Sequence, residues 1–142
     1  MKYLLFFCLV FFSARADADD GVPSDFSPKV GNALLCLDKI DPYFFEGYLE
    51  SFFGPPYKTE ADKKWYRVDK KLWGEEQLTD IVVGDRPPFL AAIIEDTPEA
   101  TAEAIFKRTG IRYAFEGSHG TSPNFGEIMP YQAFTEVFCL QN

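Results

Sequence analysis

The chain has 142 residues, with 14 basic and 22 acidic side chains and a formal charge of −8 at neutral pH. A surface of that sign repels nucleic acid and anionic lipid and draws in cationic partners. Hydrophobic residues make up 46% of the chain, which is enough for a packed core, and the length suits one domain.

Lys2 gives a positive start, residues 3–12 are an apolar run, and Ser13-Ala14-Arg15-Ala16 puts alanine at both small-residue positions before a cleavage. Residues 1–16 therefore read as a secretory signal peptide, cut after Ala16 or, as second choice, after Ala18. The run is shorter than the roughly 20 residues of a stable span, so no membrane anchor is expected after cleavage. Lys2 and Arg15 leave with the leader, and the remainder holds 12 basic against 22 acidic residues, a formal −10. Export places the chain in a periplasmic or extracellular, oxidising compartment. There Cys36 and Cys139, the two cysteines outside the leader, are expected to bond. Closing so long a ring stabilises by up to about 4.7 kcal/mol in the loop-entropy account.

Residues 17–28 read as a flexible lead, with Asp17, Asp19, Asp20 and Asp25 among Gly, Pro and Ser. Their spacing matches no calcium loop. Residues 29–142 read as a single globular domain. A short helix within residues 30–40 carries Cys36 towards the core. The next helix has clearer limits: Asp41 caps it, Pro42 fits its first position, and Gly54-Pro55-Pro56 stops it. Phe44, Phe45, Tyr48, Leu49, Phe52 and Phe53 recur at three- and four-residue spacing, while Glu46 and Glu50 face water.

Residues 57–64 read as a charged connector, residues 65–68 as a short strand, and residues 69–71 as a turn. Residues 78–94, LTDIVVGDRPPFLAAII, organise the rest: two strands joined by a polar Gly-Asp-Arg-Pro-Pro turn. Alternation puts Thr79, Ile81 and Val83 on one face of the first strand and Leu78, Asp80 and Val82 on the other. Residues 89–94 are small or apolar on both faces, the mark of a covered central strand. Thr97-Pro98 then starts a helix that Gly110 ends. Residues 111–115 form a strand, residues 116–126 a long polar loop with three glycines, and residues 131–140 a last alternating strand. That strand puts Tyr131, Ala133, Thr135, Val137 and Cys139 on one face and Gln132, Phe134, Glu136, Phe138 and Leu140 on the other. The predicted fold is α+β, a mostly antiparallel sheet of four to five strands with two main helices on one face. Helix followed by strands occurs twice, a loose echo of two half-units.

Little of this points to chemistry. His119 is the one histidine, and Ser118 beside it lacks a nucleophile elbow. One histidine and a bonded cysteine pair cannot make a standard zinc shell, so no metal site is expected. No GxGxxG or P-loop occurs, and no cofactor is expected. Glu95, Asp96 and Glu116 could in principle serve a two-carboxylate hydrolase. The balance points away from an enzyme and towards binding.

In size, charge and export the build resembles that of periplasmic enzyme inhibitors and immunity proteins. The first expectation is thus a protein-binding domain that blocks a cationic envelope or cell-wall enzyme by loop insertion. Glu116, Gly117, Ser118, His119, Gly120, Thr121 and Asn124 would form the inserted loop, with Phe125 as its apolar anchor. The alternative is a module for a small apolar ligand or envelope component, with Trp65 and Trp73 as its aromatic face. Two-carboxylate hydrolysis comes third.

Overall fold

The computed structural model describes residues 26–74 and 77–141. Over these residues the chain is α+β, with three helices and one eight-stranded antiparallel sheet. The proposed leader and residues 17–25 lie outside them.

The helices are α1 (Phe26–Leu34), α2 (Pro42–Phe53) and α3 (Pro98–Thr109). Two of them have the limits the sequence indicates. The Asp41 carboxylate accepts from the Tyr43 and Phe44 amides at 2.8 and 3.3 Å, and Gly54 ends α2 at φ 81°. The Thr97 hydroxyl accepts from the Ala100 amide at 3.2 Å, and Gly110 closes α3 in the left-handed region. Helix α1 starts earlier than expected and absorbs residues 26–28 of the predicted flexible lead. Phe26 is the reason: it is buried, with its ring 5.5 Å from that of Phe53. The apolar stripe of α2 is narrower than expected. Phe45 and Leu49 are buried, whereas Phe44 and Phe52 are exposed. Glu46 is not free in water either, since Lys64 holds it at 2.7 Å.

The strands are β1 (Lys58–Glu60), β2 (Lys63–Lys71), β3 (Gln77–Asp85), β4 (Pro88–Ile94), β5 (Ala114–Glu116), β6 (His119–Thr121), β7 (Glu127–Tyr131) and β8 (Phe134–Leu140). Their order across the sheet is β1-β2-β3-β4-β8-β7-β6-β5. The first half is two helices followed by a four-stranded meander, the second is one helix followed by another, and the last strands of the two meanders pair with each other. The half-units noticed in the sequence are thus related about the β4–β8 seam.

Four to five strands and two main helices undercount the elements. Strands β1, β5 and β6 have three residues each, too few to show a period. The predicted loop 116–126 is accordingly part of a hairpin, turned at Gly117, followed by a separate turn before β7. Residues 131–140 are not one strand, because Gln132 at φ 55° turns the chain between β7 and β8. Residues 69–71 are not a turn. Asp69 sits at φ 50° in an irregularity inside β2, and the strand runs on.

The core proper lies between the helices and one face of the sheet. Leu90, Ala92 and Ile94 of β4 face it, with Val137 of β8 and Phe45 and Leu49 of α2. Cys36 and Cys139 are bonded, with Cα atoms 5.5 Å apart, as expected. Gln141 fastens the same corner: its amide donates to the Ala33 carbonyl at 3.2 Å and its Oε1 accepts from the Ile40 amide at 3.0 Å. Among the described residues no helix is long and apolar enough to cross a membrane.

Leu90 is fully buried at the seam, so Leu90→Ala should cost about 3 kcal/mol through lost contacts and a residual cavity. Phe125→Ala, at a side chain 85% exposed, should change stability by no more than about 0.5 kcal/mol. Urea unfolding midpoints measure both, and equal effects would contradict this assignment of the core.

Candidate functional site

The two faces of the sheet differ. Trp65, Val82, Phe89, Ala91 and Ile93 form a second apolar cluster on the face opposite the helices, with Tyr131, Phe134 and Phe138 packed against it. Among the described residues no helical side chain joins this cluster. Strand periodicity produces it: Phe89, Ala91 and Ile93 alternate with the helix-facing Leu90, Ala92 and Ile94. A register shift between Leu78 and Asp80 makes Thr79 an extra residue in β3. The expected alternation therefore fails there. Leu78 joins Ile81 and Val83 under the helices, while Asp80 keeps its expected face with Val82, opposite Ile93. Gly84 completes the floor, because a Cβ at that position would lie 2.0 Å from the Phe89 ring.

A groove of about 340 Å³ runs over this floor, between Lys58 and Lys63 on one side and Tyr131 and Glu136 on the other. A smaller lobe of about 170 Å³ adjoins it. Tyr57, Asp80, Gln132 and Phe134 belong to the lobe, and Trp65, Ile93, Tyr131 and Lys58 line both spaces. A wider hollow of about 550 Å³ lies at the α1–α2 junction, lined by Lys29, Asn32, Asp38, Lys39 and Phe44 among others. It is an open depression rather than a cleft, and the sheet groove has the better-defined walls.

Charge is unevenly placed around the groove. The Lys58 ammonium lies 4.5 Å from the Trp65 ring centroid, Lys63 lies 5.7 Å from that of Phe89, and the Arg67 guanidinium 5.1 Å from that of Tyr57. Asp80 is 8% exposed. Its Oδ2 accepts from the Thr79 hydroxyl at 2.8 Å, while Oδ1 accepts no hydrogen bond and faces Arg67 Nε at 3.4 Å. Burial, then hydrogen bonding to Asp80 and its negative charge, push the Tyr57 hydroxyl up to about 12. Burial raises the Glu136 carboxyl above its ordinary range, with Lys63 opposing the shift and Glu127 adding to it.

The structure separates several residues that the sequence grouped. Trp65 is on the groove floor, but Trp73 is in the helix-side core, its indole Nε1 3.3 Å from where a Cβ on Gly31 would stand. The predicted insertion loop is divided. Glu116, Gly117, Ser118, His119, Gly120 and Thr121 belong to the β5–β6 hairpin, with Glu116 paired to His119. Gly120 is buried, and a Cβ there would lie 2.6 Å from Ile128. His119 Nε2 lies 3.6 Å from Glu127 Oε1. Asn124 and Phe125 sit on the following turn, beside the disulfide. Four strand spacings separate β4 from β5. At ~4.8 Å each that is roughly 19 Å along the sheet, wider than the 6.5–9.5 Å of a glycosidase carboxyl pair. Glu95 and Asp96, at the end of β4, are thus far from Glu116. Asp96 instead accepts from the Thr97 amide at 2.7 Å, at the start of α3.

Sequence reasoning missed Asp80 and Glu136 as groove residues. Each is an acid in the middle of a largely apolar strand, and that was the available signal. Among the described residues no three His, Cys, Asp or Glu side chains gather as metal ligands. Comparison with protein-family models, with curated proteins and with solved structures found no match.

Because burial disfavours the charged form of Glu136, its folded state holds the proton more tightly than the unfolded one. Its contribution to stability therefore falls as pH rises through the carboxylate range. Glu136→Gln should be more stable than the parent at about pH 7 and lose that advantage near pH 4. Thermal melts across that range test this, and an advantage that grows towards acid would contradict it.

Proposed function

We propose that the protein binds a small amphipathic ligand in the groove on the helix-free face of its sheet. The observation that carries this reading is the groove itself, with an apolar floor of Trp65, Val82, Phe89 and Ile93 and a few polar groups converging from its walls. Small-molecule sites have this composition. We place its work outside the cytoplasm, and the Cys36–Cys139 bond supports an oxidising compartment. No step of chemistry is assigned to it.

Inhibition of a basic envelope enzyme is a second reading, favoured by Phe125, 85% exposed on its turn near the 44% exposed Leu140. Affinity capture from periplasmic extract with the parent and with Phe125→Ala separates the two readings. A stoichiometric basic enzyme held by the parent alone favours inhibition.

The groove reading is tested with N-phenyl-1-naphthylamine, a neutral apolar dye, and two single-tryptophan variants. In Trp73→Phe the remaining emission comes from the groove, and in Trp65→Phe it comes from the core. Dye binding should perturb the Trp65 emission strongly and that of Trp73 weakly. No binding, or perturbation of Trp73 alone, would overturn the assignment.

A further inference from the structure

Within that groove, and resting on its being a ligand site, the lobe beside Asp80 has a chemistry of its own. We propose that it takes the ammonium group of a small primary amine, whose apolar part lies over Val82, Phe89 and Ile93.

The first reason is Asp80. It is 8% exposed, on a strand whose neighbours are apolar, and its Oδ1 accepts no hydrogen bond. A buried carboxylate oxygen without a donor is costly, and a charged N–H donor is its best partner. The Tyr57 hydroxyl that bonds the same carboxylate is a neutral donor, and Arg67 only partly fills that role. Its Nε stands 3.4 Å away, beyond the usual 2.7–2.9 Å of a charge-assisted bond, on a side chain 54% exposed.

The second reason is the rings. Tyr57, Trp65, Tyr131 and Phe134 all line the lobe, and aromatic faces attract cations. The protein's own cations already use two of them, Lys58 on Trp65 and Arg67 on Tyr57. Both cations sit on side chains about half exposed, 49% and 54%, so a ligand ammonium can displace them into solvent.

Size and charge agree. The lobe of about 170 Å³ suits a small head group, and the adjoining 340 Å³ suits an apolar body. The lining acids, Glu60, Asp80 and Glu136, outnumber the lining lysines, Lys58 and Lys63, and the chain carries a net negative charge, so an anionic head is disfavoured. A quaternary ammonium would satisfy the rings but has no N–H for Oδ1, which selects a protonated amine, and the small lobe favours the primary head group among these.

Hexylammonium, hexanol and hexanoate share a body and differ in the head group, and binding is read from Trp65 emission in Trp73→Phe. Hexylammonium should bind at least about tenfold tighter than hexanol, given the strength of a charged hydrogen bond, and hexanoate should bind weakest. Asp80→Asn should bring hexylammonium down to the hexanol level. Arg67→Gln, which removes the competing cation, should tighten hexylammonium binding, and this arm decides the matter if Asp80→Asn does not fold. Hexanoate binding tightest, hexylammonium matching hexanol, or weaker hexylammonium binding in Arg67→Gln would each overturn the amine assignment. In the last two cases, and if hexanoate leads, the groove reading still stands. If none of the three binds, both fail.

Discussion

The pairing of β4 with β8 is the interaction on which the rest of the molecule depends. Among the described residues it is the one strand pairing between the two meanders, with Leu90 opposite Cys139 and Ala92 opposite Val137 on the covered face. The same register sets Ala91 opposite Phe138 and Ile93 opposite Glu136 on the other face. One seam thus fixes the helix-side core and the groove floor together. Shifting it by a single residue would exchange the two faces. The Cys36–Cys139 bond and the Gln141 hydrogen bonds fasten the end of α1 to the carboxyl end of β8 and hold that register from outside the sheet.

The two faces carry different kinds of side chain. Under the helices the sheet contributes mainly aliphatic groups that fill space: Leu78, Ile81, Leu90, Ile94 and Val137. On the opposite face it places aromatic rings beside lysines, an arginine, the buried Asp80 and the half-buried Glu136. Rings with charges above them gain little from a hydrophobic cover and much from a polar or charged guest. Burial of Glu136 and of Asp80 costs folding free energy, and acids in such places are commonly kept for what they bind rather than for what they stabilise.

Much of the fold was legible in the sequence. Residues 89–94 are apolar on both faces because both faces are covered, one by helices and the other by aromatic side chains. Asp41 and Thr97 announced their helices through local hydrogen bonding, which needs no tertiary information. The cysteine pair followed from parity and from the expectation of export. The rest was hidden for physical reasons. Three-residue strands such as β1 have no period to detect. A bulge at Thr79 and a positive φ at Asp69 and Gln132 each interrupt the alternation, and only at Asp69 does the side chain favour that backbone state. The site was only partly hidden. Asp80 keeps the face that alternation gives it with Val82, and the bulge moves Leu78 away from it, whereas Tyr131 reaches the groove through the turn that sets it beside Phe134. Trp65 and Trp73 read alike in the sequence, yet a strand and a loop send them to opposite faces.

The central claim, that the helix-free face is the binding face, is tested most directly by a chemical-shift map of the side-chain methyl groups and tryptophan indoles. The disulfide-intact protein would be titrated to saturation with N-phenyl-1-naphthylamine. The account predicts that the largest shifts fall on Val82, Ala91, Ile93 and Trp65, with Leu35, Leu49 and Trp73 unmoved. Shifts gathered instead at Leu37 and Leu140 beside the disulfide, or spread evenly over the molecule, would contradict it.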